Sequence, residues 1–155
     1  MSPFPIRNES SRAGLRVRGR HRLLVDDRRS ELMSRVRRQG TTPELAVEAA
    51  LRRLRRTFAR NDGSLPGSPD FSSRRARWVV FVHGCFWHRH DGCRKTTTPV
   101  RNRRFWLAKF RSNRARDRRV TSALRLLGFR VVVVWECETT GATRVVVRVL
   151  QRGLR

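Results

Sequence analysis

The sequence predicts an α/β protein whose helices pack around a small mixed β-sheet. Three observations support this fold class. A helix start signal at residues 42–44 is followed by apolar residues at helical spacing. Two strand-sized apolar runs, Trp78–Val82 and Phe129–Trp135, are rich in β-branched and aromatic residues. A long helical segment, from about Arg103 to Leu127, separates these two runs.

The chain has the length of one ordinary domain. It has 155 residues, of which 38% are hydrophobic, so it can build a core. No stretch approaches the roughly 20 apolar residues of a membrane-spanning helix, and the N-terminus lacks the apolar core of a signal peptide. Its three cysteines cannot all pair in disulfides. We therefore expect a single intracellular domain over residues 30–155.

The charge of the chain predicts a polyanionic partner. Lysine and arginine number 37 against 12 acidic residues, which gives a formal net charge of +25. A compositional bias can explain why only Lys95 and Lys109 are lysine, but it does not explain the shortage of acids. A chain that repels itself so strongly is most stable beside nucleic acid. Charge alone leaves an RNA-bound or ribosomal protein open.

Residues 1–29 have the composition of a basic, disordered tail. They hold eight arginines against Glu9, Asp26 and Asp27, a net charge of +5. Two interpretations of this tail stand side by side. It is either an arm that lies on DNA or a dispensable extension, with Met33 near the true start.

The first helix is predicted to begin with Thr42 as its N-cap and Pro43 at the first helical position. Its apolar face would consist of four residues at helical spacing, Val47, Leu51, Leu54 and Phe58. A glycine- and proline-rich turn follows over residues 61–69.

The predictions for residues 70–150 range from a single element to an open choice between strand and helix. Asp70 and Phe71 open a strand that Ser72 and Ser73 weaken, and residues 83–99 are predicted to be irregular. Gly128 would end the long helix in the left-handed conformation. Residues 142–150 fit either a strand, because of their valines, or a last helix.

Cysteine and histidine cluster at the end of the first buried strand. Cys85, His90 and Cys93 have the spacing C-x4-H-x2-C, and Cys137 lies just past the second buried strand. Adjacent strands that end at one edge of the sheet would bring all four together. Three thiolates and one imidazole form a closed structural zinc site. The alternative is three unrelated reduced thiols.

Three carboxylates are candidates for chemistry. Asp70, at the start of a strand, would hold Mg²⁺ or else cap a turn. Asp117 lies in or beside the apolar stripe of the long helix and needs a partner, either a histidine of the Cys/His segment or an arginine. Glu44 either interacts with the helix dipole or reaches a metal site as an outer acid.

Aromatic side chains lie close to arginines in two places. Phe86 and Trp87 are adjacent in the segment predicted to be irregular, and Phe105 and Trp106 begin the long helix. Exposed aromatic groups beside arginines suit stacking on bases or wedging between base pairs. The alternative is core packing, which we expect for Phe105.

These motifs together resemble the very short patch repair DNA mismatch endonucleases. The resemblance covers about residues 30–138, and its most specific part is His-Gly-Cys-Phe-Trp-His at residues 83–88. The other matching motifs are Met-Ser-Arg at 33–35, Thr-Pro-Glu at 42–44, Leu-Pro-Gly-x-Pro-Asp-Phe at 65–71, Phe-Trp at 105–106, Asn-x-x-x-Asp-Arg at 113–118 and Val-Trp-Glu-Cys at 134–137.

The resemblance implies a restriction-endonuclease-like fold and a reaction that nicks one strand of duplex DNA at T·G mismatches left by deamination of 5-methylcytosine. It implies that Asp70 and the main-chain carbonyl of Val82 hold Mg²⁺. It also implies that His88 is the general base, oriented by Asp117. His83 would support the phosphate or the metal-bound water, with Glu44 behind the site.

The resemblance further implies a structural zinc ion on Cys85, His90, Cys93 and Cys137. Gly92 is an insertion relative to some members, and a glycine there can bend the chain to restore the ligand. Phe86, Trp87 and Trp106 would enter the base stack. We expect a monomer that binds mismatched double-stranded DNA, with contacts to other mismatch-repair proteins left open.

Two other functions compete with this one. A restriction-type endonuclease of the same fold would cut both strands of a matched site as a dimer. A non-catalytic, zinc-stapled module would bind DNA by charge and stacking alone. Ser72 and Ser73, where family members usually carry apolar residues, would fit an inactive copy.

Overall fold

The computed structural model describes residues 39–141 and 143–154, and its fold is mixed α/β. The predicted tail and the motif at residues 33–35 lie outside the described residues. The helices are α1 (Thr42–Arg53), α2 (Cys85–His88), α3 (Arg103–Leu126), α4 (Glu136–Thr139) and α5 (Thr143–Gly153). The strands are β1 (Ala59–Arg60), β2 (Phe71–Ser73), β3 (Trp78–His83) and β4 (Arg130–Trp135).

The four strands form one mixed sheet in the order β1-β2-β3-β4. Strands β1, β2 and β3 are antiparallel neighbours, whereas β3 and β4 run parallel, with Trp78 opposite Arg130 and His83 opposite Trp135. Helix α3 makes the crossover that a parallel pair requires. The predicted mixed sheet flanked by helices is therefore confirmed.

Side chains that alternate along the central strands fill two separate cores. Trp78 and Val80 of β3 and Val132 and Val134 of β4 belong to the core that also contains α1 and α5 residues. The intervening residues of both strands belong to a second core with Leu124 of α3. None of the described helices combines the length and apolar character needed to span a membrane.

Helix α1 differs from its prediction at both ends. Its N-cap is Thr41 rather than Thr42, and its last residue is Arg53. The chain turns away because Arg55 adopts a positive φ of 52°. Phe58 is therefore not on the helix face; instead its ring packs edge-on against Phe71 with centroids 5.3 Å apart.

The segment over residues 83–99, predicted to be irregular, contains the short helix α2. Arg89 ends this helix with a φ of 58°. The ambiguous C-terminal segment is a helix, because Val146, Leu150 and Leu154 point into the first core at helical spacing. The long helix ends close to its prediction, and Gly128 adopts the expected left-handed conformation with a φ of 78°.

The two serines of β2 have structural partners. Ser72 is 1% exposed, and its hydroxyl donates to Asp62 Oδ2 over 3.1 Å. The same carboxylate accepts from Arg74 Nε over 3.1 Å. Ser73 Oγ accepts from the main-chain N–H of Ala76 over 3.4 Å. The bonds of Asp62 fix the turn before β2, and the bond of Ser73 lies in the turn after it, so neither serine requires loss of function as an explanation.

The packing of α5 on β4 predicts that Gly153→Ala destabilises the protein. A Cβ at residue 153 would lie 2.5 Å from Val132 Cγ2, and the stiff, buried valine has little room to move. We expect a net loss of about 1–3 kcal/mol from overpacking, which exceeds the gain of at most about 1 kcal/mol from helix propensity. Urea unfolding measures this difference.

The matched control is Gly63→Ala, because a Cβ there meets nothing within 4 Å. Equal midpoints for wild type and Gly153→Ala would contradict this account of the α5–β4 contact.

Candidate active site

The candidate site lies where β3 and β4 end side by side. Because His83 pairs with Trp135 in the parallel register, the chain leaves both strands at the same edge of the sheet. Helix α2 follows β3 after Gly84, and α4 follows β4 directly. The predicted approach of Cys137 to the Cys/His segment is confirmed.

His88 and Asp117 form the closest polar pair at this edge. His88 Nδ1 lies 2.6 Å from Asp117 Oδ2, and Arg116 Nη2 donates to the other carboxylate oxygen over 3.2 Å. Burial on its own raises the pKa of Asp117, but the hydrogen bond from His88 and the nearby positive charges bring it below the usual value. Asp117 therefore has both kinds of partner that the sequence allowed, a histidine (His88) and an arginine (Arg116).

His83 stacks on the imidazole of His88. The ring centroids are 3.8 Å apart and the planes differ by 15°. Burial, together with the charges of His88 and Arg116, lowers the pKa of His83 to about 4, although the charge of Asp117 opposes the shift. His83 is therefore neutral at physiological pH.

Trp135 joins the two histidine groups of the site. Its ring stacks on His90 with centroids 4.3 Å apart, and its edge lies against His83 at 5.4 Å. Residue-type reasoning did not single out Trp135, because a tryptophan at the end of a buried strand is usually core. Asn113 was also missed as a contact residue; its amide donates to the carbonyl of Trp87 over 2.9 Å.

The four predicted zinc ligands come together. Ligand atoms of Cys85, His90, Cys93 and Cys137 all lie within 4.8 Å of one another. His90 Nδ1 is 3.7 Å from Cys85 Sγ and 3.3 Å from Cys137 Sγ. Burial and the neighbouring thiols raise the pKa of Cys137 to about 12. The geometry has the donor set of a metal site.

Polar contacts around this cluster fix its loop. Thr96 Oγ1 donates to the carbonyl of His90 over 2.7 Å, and Glu136 Oε2 accepts from Cys85 N over 3.3 Å. Glu136 also forms an ion pair with Lys95 at 2.8 Å. Gly92, directly before Cys93, adopts a left-handed conformation with a φ of 70°.

Asp70 connects β2 to β3 at the same edge. Its Oδ2 accepts from the main-chain N–H of Val82 over 2.7 Å, and Val82 precedes His83. Burial raises the pKa of Asp70 to about 6; the charge of Glu44 adds to the shift, and the Val82 N–H opposes it. Within residues 39–141 and 143–154, no cation forms an ion pair with Asp70.

Glu44 is buried behind Asp70. Only 6% of it is exposed, and its two carboxylate oxygens accept from Gly40 N and Thr41 Oγ1, each over 2.8 Å. It thus caps helix α1 and at the same time acts electrostatically on Asp70.

Comparison with known proteins identifies the family. Residues 23–95 match the family model of the DNA mismatch endonuclease Vsr. The chain is 45% identical over 115 residues to the type II nicking enzyme V.XorIIP of Xanthomonas oryzae, covering 74% of this chain and 84% of the relative. It is 42% identical over 113 residues to the DNA mismatch endonuclease Vsr of Escherichia coli, covering 73% and 72%. The chain belongs to the Vsr family. It is therefore a member of a family of DNA endonucleases.

The three aromatic residues to which the Vsr resemblance assigns DNA intercalation form one cluster. The ring of Phe86 lies 5.1 Å from Trp87 and 5.3 Å from Trp106, and Phe110 packs beneath it at 5.2 Å. Phe86 and Trp87 are partly exposed, but Trp106 is only 9% exposed. The expectation for Phe105 was wrong: it is 42% exposed, because its helical neighbour Trp106 takes the inward position.

An open cleft of about 400 Å³ lies beside the histidine pair of this Vsr-family site. Ten of its twelve lining residues are polar or charged and four of these are arginines, which suits a polyanionic ligand. The cleft is lined by His83, His88, Arg89, Asp91, Arg114, Asp117, Arg118, Thr121, Ser122, Arg125, Val133 and Trp135.

The raised pKa of Asp70 predicts that Asp70→Asn stabilises the protein when chelator is present. Above about pH 6 the folded carboxylate is ionised without a cation, whereas its pKa in the unfolded chain is near 3.8. The unfolded state therefore binds fewer protons between these two values, and wild-type stability falls as pH rises through that window. We expect Asp70→Asn to be more stable by up to about 3 kcal/mol at pH 8.

Chemical denaturation from about pH 4 to pH 8 tests this prediction. The difference in the free energy of unfolding between wild type and Asp70→Asn should shrink toward about pH 4. The control is Asp91→Asn, since Asp91 is 84% exposed at the rim of the cleft. A gap that is independent of pH would contradict the assigned cause.

Proposed function

We propose that this protein nicks one strand of duplex DNA at T·G mismatches, with a magnesium ion and a histidine general base. The observation that carries the proposal is the 2.6 Å contact between His88 Nδ1 and Asp117 Oδ2 in the wall of a basic cleft. With Nδ1 held by the carboxylate, Nε2 is the nitrogen that accepts a proton from water. Asp117 then stabilises the charge that the imidazole acquires.

Asp70 and the carbonyl of Val82 would hold the magnesium ion. Both offer oxygen, the donor that Mg²⁺ prefers. A half-buried carboxylate with a raised pKa, which lacks an ion-pair partner in the described parts of the chain, fits a cation. When bound, the ion would offset the negative charge that develops on the phosphate. The bond from Val82 N fixes the orientation of the carboxylate.

His83 and Glu44 would act around these groups. His83 is neutral and its ring stacks on His88. It can therefore donate a hydrogen bond to a phosphate oxygen, or form one with a nearby water, without adding charge. Glu44 lies behind Asp70 and adds negative charge to the metal site. Its main effect is therefore on the affinity for the cation.

The aromatic cluster would recognise the mismatch. A T·G wobble pair stacks less well than a matched pair, so inserting Phe86 and Trp87 beside it requires less free energy. Trp106 packs against both residues and would follow them into the base stack or support them from below. Specificity would thus arise from the ease with which the DNA deforms.

Nicking of one strand is favoured over double-strand cleavage. The similar proteins include a type II nicking enzyme and a DNA mismatch endonuclease, rather than a restriction enzyme that acts on matched sites. We infer that the mixed sheet, with its site at the edge where β3 and β4 end, is the restriction-endonuclease-like fold that the family resemblance implies.

The nicking assay uses labelled duplexes that carry a T·G or a T·A pair, with Mg²⁺ or EDTA. We expect wild type to nick only the T·G duplex and only with Mg²⁺. Asp70→Ala and His88→Ala should lose activity by at least about 100-fold and still bind DNA. Asp91→Ala, an exposed carboxylate of the same cleft, is the matched control and should keep its activity.

The outcomes separate the three candidate functions. Equal cutting of both duplexes excludes mismatch specificity, and cleavage of both strands of the T·A duplex favours a restriction-type enzyme. Tight binding without cleavage by wild type favours the non-catalytic module.

We also propose that the Cys/His cluster holds a structural zinc ion. All three cysteines of the chain lie in it, together with the imidazole of His90, and this donor set suits a closed tetrahedral site. The ion would replace repulsion among neighbouring thiolates by coordination. It would also fix the loop that carries His88.

Elemental analysis should find about one equivalent of zinc per chain. A thiol reagent should then react with none of the three cysteines until a chelator or denaturant is added. Cys93→Ala should lose the metal and lower the melting temperature. Less than about half an equivalent of zinc in wild type, or three reactive thiols in the folded protein, would contradict the four-ligand site.

A further inference from the structure

Three arginines of helix α3 line the same cleft as Asp117. Arg114, Arg118 and Arg125 follow one another at intervals of four and seven residues. These intervals correspond to one and two turns, so the side chains form a row along the helix. Thr121, which also lines the cleft, lies between the last two.

The carboxylates in the described part of the chain leave this row largely uncompensated. Arg118 and Arg125 form no ion pair with any carboxylate among residues 39–141 and 143–154. Arg114 lies 3.5 Å from Asp91, but both side chains are exposed, and such a pair contributes little. The row therefore keeps most of its positive charge for a ligand.

The fourth arginine of the cleft differs from these three. Arg89 donates to the carbonyl of Thr97 over 3.0 Å and to Thr98 Oγ1 over 3.1 Å, and its guanidinium lies 4.9 Å from the ring centroid of Phe110. These contacts hold the loop after α2 against α3. Arg89 has a structural role and is not part of the row.

We propose that Arg114, Arg118 and Arg125 form a phosphate track that binds successive phosphates of the DNA strand that is cut. This inference deepens the proposed function and rests on it. Asp117, which holds His88, lies beside the row in the wall of the same cleft. The strand bound along the row is therefore the strand next to the candidate base.

The length of the track suits several phosphates. From Arg114 to Arg125 the helix rises about 16 Å, whereas phosphates of one DNA strand follow at about 3.4 Å along the duplex axis. Guanidinium groups bind phosphate oxygens through paired N–H donors, and the hydroxyls of Thr121 and Ser122 can add further bonds.

The test compares two triple variants that remove the same charge. The track variant changes Arg114, Arg118 and Arg125 to Gln. The control variant changes Arg119, Arg148 and Arg152 to Gln, three exposed helical arginines outside the cleft. Arg152 lies in the last turn of α5 as Arg125 lies in the last turn of α3, so the two variants lose similar interactions with a helix dipole.

Binding to a labelled T·G duplex is measured in EDTA over a range of NaCl concentrations. We expect the track variant to reduce the slope of log Kd against log salt by about 2–3, and to bind about 10- to 100-fold more weakly. The control should change the slope by less than about 1. A track variant with lysine at the three positions should restore most of the slope.

Nicking with Mg²⁺ at saturating protein provides a second readout. The track binds the substrate equally in the ground state and in the transition state. The nicking rate of the track variant should therefore stay within about threefold of wild type, while the protein concentration that gives half of the maximal rate rises. Neutral methylphosphonates in the cut strand near the nick should weaken wild-type binding. They should weaken DNA binding by the track variant much less.

Several results would overturn the inference. These are equal salt slopes for the track and control variants, a lysine variant that folds but binds as weakly as the glutamine variant, or methylphosphonate effects confined to the uncut strand. If wild type binds with the expected slope and never nicks the T·G duplex, the proposed function fails while the track remains. Circular dichroism of each variant establishes that it is folded.

Discussion

The parallel pairing of β3 with β4 is the constraint on which the site depends. Parallel strands end at the same edge of a sheet, so residues separated by about fifty positions in the chain leave the core as neighbours. On one side the chain supplies the histidines and two cysteines, and on the other Trp135 and Cys137. The long helix that makes the crossover carries Asp117 to the same edge. A change that shifted this register by one residue would turn every side chain of β4 to the opposite face and separate the groups.

An unbroken chain of ring contacts, two stacked and one edge-on, links the Cys/His cluster to the candidate base. It runs from His90 through Trp135 and His83 to His88, with centroid distances of 4.3, 5.4 and 3.8 Å. The last ring is fixed by Asp117. A metal ion at the first ring would therefore restrict the position of the last one without touching the substrate. With the proposed zinc ion bound, this arrangement would let a structural ion influence the position of the candidate base.

Sequence reasoning located the site better than it located the ends of elements. The ligand set at residues 85, 90, 93 and 137 and the pairing of Asp117 with a histidine followed from spacing and from the cost of burying charge. The position of Phe58 was wrong, because a helical apolar pattern continues past Arg53 although the backbone turns at Arg55. Trp135 was not recognised as a contact between two histidine groups, because its role depends on a neighbour that only the strand pairing brings near. The inward turn of Trp106 instead of Phe105 depends likewise on packing by Phe86 and Phe110.

The distribution of the acids explains why the basic charge stays at the surface. Each of the eight carboxylates in the described parts of the chain already accepts a bond or forms an ion pair inside the fold or the site, namely Glu44, Glu48, Asp62, Asp70, Asp91, Asp117, Glu136 and Glu138. They fix a helix start, a turn and the Cys/His loop, and only the exposed pair at Asp91 faces an arginine of the track. A compositional bias toward arginine would scatter unpaired guanidinium groups over the whole surface. It gives no reason for three of them to lie in one row of α3 beside Asp117, whereas a strand of DNA laid against the candidate base does.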